Sequence, residues 1–264
     1  MKEIITQVEN HVGTLILNRP EKRNALSQSL LIGIHMTLKE WEEIGDVCTV
    51  VIKGAGDKAF SSGYDIASIP TNIPPEIQET LKNSNPLELA LNSIKQYPFP
   101  VIAMMNGYAF GAGLNLAICC DIRIAVDTIK IGMPPAKLGL VYHPEGLKQF
   151  IEVIGISKAK ELFFTARTYT AIQAKEMGIA GYLIPEKDLS AFTYEMTRDI
   201  VSNAPLSICG MKQIFNMLTR TNFQMTESDT KEAERLIVDA FNSDDLKEGQ
   251  TAFFEKRKPC FKGC

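Results

Sequence analysis

Two glycine-rich loops hold the residue types most suited to chemistry. The first, Ala59 to Ile66, reads AFSSGYDI, and the second, Asn106 to Gly113, reads NGYAFGAG; each follows an apolar stretch typical of a buried strand. A glycine-rich turn that opens a helix points unpaired backbone N–H groups outward at the positive end of the helix dipole. Such groups bind an anion, or an oxygen that becomes anionic during a reaction. Tight packing is the alternative explanation for either loop alone, but the two together indicate a paired site.

Nucleotide and metal chemistry have weaker support in the sequence. The stretch from Gly111 to Leu116 reads GAGLNL, so it lacks the third glycine of a dinucleotide-binding loop, and it lies far from the start of the chain. The chain has only three histidines, and its six cysteines form no CxxC pair. We therefore expect reduced and mostly buried thiols and no metal. The cysteines are Cys48, Cys119, Cys120, Cys209, Cys260 and Cys264.

Composition narrows the function further. The 264 residues are 45% hydrophobic and 22% charged, and 28 basic against 31 acidic residues give a net charge of −3. These values are typical of a folded globular protein and offer no general attraction for nucleic acid or an anionic membrane. No apolar run approaches the ~18 residues that span a bilayer. The first residues, Met1 to Ile5, lack the features of a signal peptide, so we expect a cytoplasmic protein.

The elements that must position the loops follow from hydrophobic periodicity. We predict a strand at Thr14 to Asn18, a helix over Ala25 to Trp41 and a strand at Cys48 to Gly54, an order typical of a crossover unit. Further strands are predicted at 100–105 and 121–126, with a helix at 114–120 between them. From Ser157 onward the pattern is mostly helical. Pro70 to Pro86, with four prolines, is expected to be a lid or a surface connection.

Several motifs in order resemble the crotonase (enoyl-CoA hydratase/isomerase) superfamily. They are LNRP at 17–20, FSSGYDI at 60–66, CDIRIA at 120–125 and EKRKP at 255–259. The resemblance implies an α/β fold, a spiral of strand–strand–helix turns over residues 1–203, and a helical region over 204–264 that assembles trimers or hexamers. It implies an acyl-CoA substrate and no separate cofactor, since coenzyme A is part of the substrate. From the composition we expect no nucleic-acid partner and no membrane partner.

The resemblance assigns roles to individual residues. The backbone N–H groups of Tyr64 and Ala112 would form an oxyanion hole for the thioester carbonyl, which becomes negatively charged in an enolate. Two tail residues, Lys256 and Phe261, match positions that approach the coenzyme A phosphates, including those of a neighbouring subunit. The other positions expected to contact the acyl-CoA are Lys22, Arg23, Ala25, Ser62, Asp65, Ile66, Gly111 and His143.

Departures from the superfamily pattern bear on the reaction. Hydratases carry two glutamates, but this chain has Asn115 and Pro135 at those positions, and neither side chain moves a proton at neutral pH. Tyr142 instead occupies a position that resembles the methylmalonyl-CoA decarboxylases. Decarboxylation needs no base, because loss of CO₂ itself creates the enolate. We therefore predict a decarboxylating lyase in which the Tyr142 hydroxyl positions the carboxylate.

Two alternatives stay open at this point. Glu145 and His143 could form a displaced acid/base pair for hydration, isomerisation or thioester hydrolysis, although Glu145 also suits the first turn of a helix and His143 a solvent-facing loop. Tyr142 could serve only in packing. The second alternative is a non-catalytic protein that binds coenzyme A or RNA, with the basic run from Lys256 to Lys258 as its patch.

Overall fold

The computed structural model of the chain describes residues 3–65, 85–220 and 226–263. Its strands are β1 Ile4–Glu9, β2 Val12–Leu17, β3 Thr49–Gly54, β4 Ala59–Ser61, β5 Val101–Met105, β6 Tyr108–Phe110, β7 Ile122–Val126, β8 Lys130–Gly132, β9 Thr168–Thr170 and β10 Tyr182–Ile184. Its α-helices are α1 Gln28–Ile44, α2 Pro86–Gln96, α3 Ala112–Cys119, α4 Pro144–Thr165, α5 Ala171–Glu176, α6 Glu186–Val201, α7 Pro205–Arg220, α8 Glu227–Asn242 and α9 Asp244–Glu255. Short 3-10 helices lie at Pro20–Lys22 and Pro135–Leu138.

Two sheets form the α/β core in the described part of the chain. One has the order β1-β2-β3-β5-β7-β10, and the other has the order β4-β6-β8-β9. In the first sheet, β1 is antiparallel to β2 and all the later pairs, from β2 to β10, are parallel. In the second sheet, β9 is antiparallel to β8. Successive turns of the chain place β3, β5 and β7 in the first sheet and β4, β6 and β8 in the second. The strand–strand–helix turns expected from the sequence are therefore confirmed.

Helix α1 shows why this order folds as it does. Its N-cap Ser27 accepts a hydrogen bond from the Leu30 amide, and Gly45 ends it with φ +76°. The predicted apolar face is buried, with Leu30 and Trp41 among its members. The crossover from β2 through α1 to β3 is confirmed by the parallel pairing of those strands.

Short strands explain where the sequence prediction was wrong. The glycine-rich loop predicted at 106–113 contains β6, and the one predicted at 59–66 begins with β4. Three-residue strands are too short to show an alternating pattern, so only pairing reveals them. Ile66 and most of the proline-rich segment 70–86 lie outside the described residues.

The C-terminal helices are held to the core by a buried lysine. Lys212 on α7 donates to the carbonyl of Phe99 at 2.9 Å and to the carboxylate of Asp121 at 2.7 Å. Asp121 also accepts from the amide of Val101, at the start of β5. The expected boundary between residues 203 and 204 falls in the short link between α6 and α7. Within the described ranges, no helix is long and apolar enough to cross a membrane.

Candidate active site

A cavity of about 390 Å³ lies where the two glycine-rich loops meet. The loop after β4 contributes one wall, the start of α3 the second, and the segment from Pro134 to His143 the third. The start of α2 closes the remaining side. The lining residues are Gln28, Ser62, Gly63, Tyr64, Asn85, Pro86, Leu87, Gly111, Ala112, Pro134, Pro135, Leu138, Leu140, Val141, Tyr142 and His143.

Backbone conformation brings Tyr64 and Ala112, the residues of the two predicted donor amides, to this cavity. Gly63 has φ +102° and Gly111 has φ +52°, in a region that L-residues with side chains rarely adopt. A Cβ on Gly63 would lie 2.8 Å from the Phe110 carbonyl oxygen and 3.4 Å from the Ala112 nitrogen. Glycine at 63 therefore allows the two loops to approach. The amides of Tyr64 and Ala112 have no hydrogen-bond acceptor within the described residues.

The N-termini of several helices create a positive potential at the cavity. In the described part of the chain, three helices begin with a residue that lines the cavity, namely α1, α2 and α3. Helix α4 begins directly after a lining residue. The first turns of α3 and α4 have no side-chain cap, so their N–H groups are not satisfied by a side chain. A helix N-terminus carries roughly half a positive charge. The arrangement therefore stabilises negative charge that develops inside the cavity.

A buried hydrogen-bond chain fixes Tyr142. Its hydroxyl donates to Asn115 Oδ1 at 2.8 Å, and Asn115 Nδ2 donates to Gln149 Oε1 at 2.7 Å. Asn115 and Gln149 are only 1% and 3% exposed. Burial raises the pKa of the Tyr142 phenol, and the nearby Cys119 adds to the rise. Tyr142 therefore stays protonated at neutral pH, with its proton directed at Asn115.

The described lining contains no carboxylate and no lysine or arginine. Pro135 lines the cavity. Asn115 is not among the lining residues, and its side-chain amide is already hydrogen-bonded to Tyr142 and Gln149. The residues at the two hydratase-glutamate positions thus supply no proton-transferring group. The wall formed by the segment from Pro134 to His143 has apolar side chains at Leu138, Leu140 and Val141.

The loop at 19–26 packs directly against the residues after β4. Ser62 donates its amide to the Arg23 carbonyl at 2.9 Å, and Leu26 donates to the Gly63 carbonyl at 2.8 Å. Asp65 receives the Arg19 guanidinium at 3.0 Å and lies 3.8 Å from the Lys22 ammonium. The structure therefore brings together the predicted groove residues Lys22, Arg23, Ala25, Ser62 and Asp65.

Comparisons with known proteins agree with this geometry. The profile of the family described as enoyl-CoA hydratase/isomerase matches residues 7–264. The chain belongs to that family. Its members process acyl-CoA thioesters, so this chain is an acyl-CoA enzyme of the crotonase superfamily.

Individual relatives differ in their reactions. The chain is 33% identical over 255 residues to a probable mitochondrial enoyl-CoA hydratase of Dictyostelium discoideum, covering 96% of this chain and 88% of the relative. It is 30% identical over 254 residues to the methylmalonyl-CoA decarboxylase of Escherichia coli, covering 96% and 95%. A solved structure of an enoyl-CoA hydratase/carnitine racemase from Magnetospirillum magneticum has a TM-score of 0.91 at 29% identity, covering 100% and 97%.

Three of the family positions predicted from the sequence lie elsewhere. Glu145 is in the first turn of α4, as its helix-start interpretation predicts, and it lines a separate polar cavity with Lys95 and Lys148. Lys256 follows α9, and Phe261 lines an apolar cavity of about 840 Å³ among α7, α8 and α9. Within this chain these residues do not line the cavity that holds Tyr64 and Ala112.

Sequence reasoning missed three residues that shape the site. Gln149 orients the Asn115 amide, and a Cβ on Gly146 would lie 2.4 Å from Tyr142 Cε1, so only glycine leaves room for that ring. Glu88, in the first turn of α2, has a carboxylate oxygen 2.8 Å from His143 Nδ1. Glu88 follows the cap residue Asn85 by three positions, a pattern that predicts a helix start but not this pairing.

Proposed function

We propose that this protein is a lyase of the (methyl)malonyl-CoA decarboxylase type. The observation that carries the proposal is the combination of two amides that have no acceptor among the described residues with a described cavity lining that has no carboxylate. A cavity of that kind suits a reaction that creates an enolate without removing a proton. Decarboxylation is such a reaction, because the electron pair of the broken C–C bond becomes the enolate.

The chemistry follows from the residues at the cavity. The thioester carbonyl would accept hydrogen bonds from the amides of Tyr64 and Ala112, and one such donor is typically worth ~10²–10³ in rate. Tyr142, held by Asn115, would restrict the substrate carboxylate to an orientation out of the thioester plane. The apolar side chains of Leu138, Leu140 and Val141 offer that carboxylate no hydrogen-bond donor, whereas the two amides would stabilise the enolate oxygen onto which the negative charge moves as CO₂ leaves.

The hydratase or isomerase alternative depends on Glu145, and its position weakens that alternative. A general base must come within hydrogen-bond reach of the proton that it removes. Glu145 lines a different cavity, beside Lys148 and Glu152. The names of most relatives favour hydration, but the amide at 115 and the proline at 135 favour decarboxylation.

The non-catalytic alternative receives little support from the tail. Arg257 is paired with Glu248 at 2.6 Å and with Glu255 at 2.6 Å, which neutralises the centre of the basic run. We propose that the basic tail and Phe261 serve the coenzyme A end of a site in an assembled trimer or hexamer. We also propose a cytoplasmic location, acyl-CoA as the sole small-molecule partner and no separate cofactor.

A panel of thioesters tests the proposal. The purified protein is incubated with malonyl-, methylmalonyl-, crotonyl- and 3-hydroxybutyryl-CoA, and products are followed by mass. We expect loss of CO₂ from a malonyl-type thioester, slowed in Tyr142→Phe. Hydration of crotonyl-CoA that disappears in Glu145→Gln, with no CO₂ released, would establish the alternative instead.

A further inference from the structure

The site needs a proton donor that the described hydratase-glutamate positions do not provide. Loss of CO₂ leaves an enolate, and the reaction ends only when its α-carbon gains a proton. Asn115 and Pro135 cannot supply one. Three titratable side chains line the described cavity, namely Tyr64, Tyr142 and His143.

The two tyrosines are poor candidates for that donor. Burial raises the pKa of Tyr142, and its proton is already donated to Asn115. A phenol is in any case a much weaker acid than an imidazolium. Tyr64 forms an isolated parallel bridge with Leu26 and lines the cavity, where the proposed function uses its backbone amide rather than its phenol.

His143 differs from both tyrosines because a carboxylate from another helix holds its ring. It is the N-cap residue of α4, and its Nδ1 lies 2.8 Å from Glu88 Oε1 in the first turn of α2. When Nδ1–H donates to a carboxylate, Nε2 becomes the atom that takes up or releases a proton.

The position of this pair suits proton transfer to the substrate. His143 lines the cavity, yet its side chain is 62% exposed, so the ring meets both the cavity and the solvent. The Glu88 side chain is 30% exposed, and it is not occupied in capping α2, because Asn85 caps that helix. Proton exchange with water can therefore recharge the ring after each turnover.

We propose that His143, oriented by Glu88, is the general acid that protonates the enolate; this rests on the proposed function. After CO₂ has left, the enolate electron pair forms the α-carbon–hydrogen bond with the proton on Nε2. The imidazolium becomes neutral imidazole and regains its proton from water. His143 is thus a catalytic residue and Glu88 a positioning residue.

The reverse of this step gives a test that needs no carboxylate on the substrate. Propionyl-CoA is incubated with the protein in D₂O, and deuterium incorporation at the α-carbon is followed by mass at saturating thioester. We expect exchange by the wild type, a loss of about 100-fold or more in His143→Gln, and a smaller loss of about 10-fold in Glu88→Gln.

A second histidine–carboxylate pair provides the matched control. His11 Nδ1 lies 2.9 Å from Asp46 Oδ1, both side chains are exposed, and neither lines the cavity. His11→Gln should exchange at the wild-type rate. Wild-type exchange in His143→Gln, or no exchange by the wild type, would overturn the proposed proton donor.

The same proteins separate this inference from the proposed function. CO₂ release from methylmalonyl-CoA tests the proposed function without the exchange reaction, and His11→Gln, which lies outside the cavity, should release CO₂ at the wild-type rate. Exchange without CO₂ release would keep the His143–Glu88 pair and refute the decarboxylase. CO₂ release together with undiminished exchange in His143→Gln would keep the decarboxylase and refute the pair.

Discussion

Gly63→Ala is the substitution that most sharply tests the oxyanion site. A methyl group at this position meets the Phe110 carbonyl oxygen at 2.8 Å and approaches the Ala112 nitrogen to 3.4 Å. The backbone must therefore shift or the two loops must separate. In either case the amides of Tyr64 and Ala112 could no longer point at one oxygen atom, as the proposed oxyanion hole requires.

The magnitudes follow from two separate effects. An alanine held at φ +102° costs about 1–3 kcal/mol of strain, so the free energy of unfolding should fall by roughly that amount. Losing one donor to the developing oxyanion costs ~10²–10³ in rate. We therefore expect a folded but destabilised protein whose kcat is at least about 100-fold lower.

Gly45→Ala is the control for strain without crowding. Gly45 ends α1 with φ +76°, and a Cβ there would have no atom within 4 Å. The free energy of unfolding of the Gly45→Ala protein should fall by about 1 kcal/mol, with no change in kcat. The assays are denaturant unfolding and thioester turnover, followed as CO₂ release or α-hydrogen exchange. A folded Gly63→Ala protein with wild-type kcat would refute the assignment of the oxyanion hole.

Three further predictions concern the supports of the site. Gly146→Ala should displace the Tyr142 ring, since its Cβ would lie 2.4 Å from Cε1, and should slow CO₂ release at least about 10-fold without abolishing acyl-CoA binding measured by calorimetry. Lys212→Met leaves the Asp121 carboxylate without its cation and should lower the free energy of unfolding in urea by about 2–3 kcal/mol; an unchanged value would mean that the ion pair does not hold α7. Burial raises the pKa of Tyr97 and Tyr142 above the ordinary value of 10.0, so the folded state retains protons that the unfolded state loses, and stability present below pH 10 should be lost as the pH rises further. Tyr97→Phe should make that decline shallower, and a decline as steep as that of the wild type would contradict the assignment.

The sequence predicted the fold through features that one element carries by itself. The periodic face of α1, the apolar runs of β3 and β5 and the glycine-rich loops are local patterns, and each matches an element of the structure. The short strands β4 and β6 were not predicted, because their existence depends on pairing between distant segments.

In the site, too, the residues with a local sequence pattern were predictable, and those that depend on distant contacts were not. Gly63, Gly111 and their neighbours were found because a tight turn before a helix has a recognisable composition. Gln149 and Glu88 were not found, because their roles arise from contacts with residues 34 and 55 positions away, counting 149 − 115 and 143 − 88. Such contacts leave no mark in the spacing of either residue. Glu145 shows the converse, since proximity in sequence to Tyr142 did not place it in the same cavity.

The central claim is that this family member breaks a carbon–carbon bond rather than adding water. One measurement tests it most directly, a competition between methylmalonyl-CoA and crotonyl-CoA in a single reaction followed by mass. The cavity predicts that kcat/KM for conversion of methylmalonyl-CoA to propionyl-CoA and CO₂ is well above kcat/KM for conversion of crotonyl-CoA to 3-hydroxybutyryl-CoA. Formation of 3-hydroxybutyryl-CoA while methylmalonyl-CoA remains intact would contradict the account.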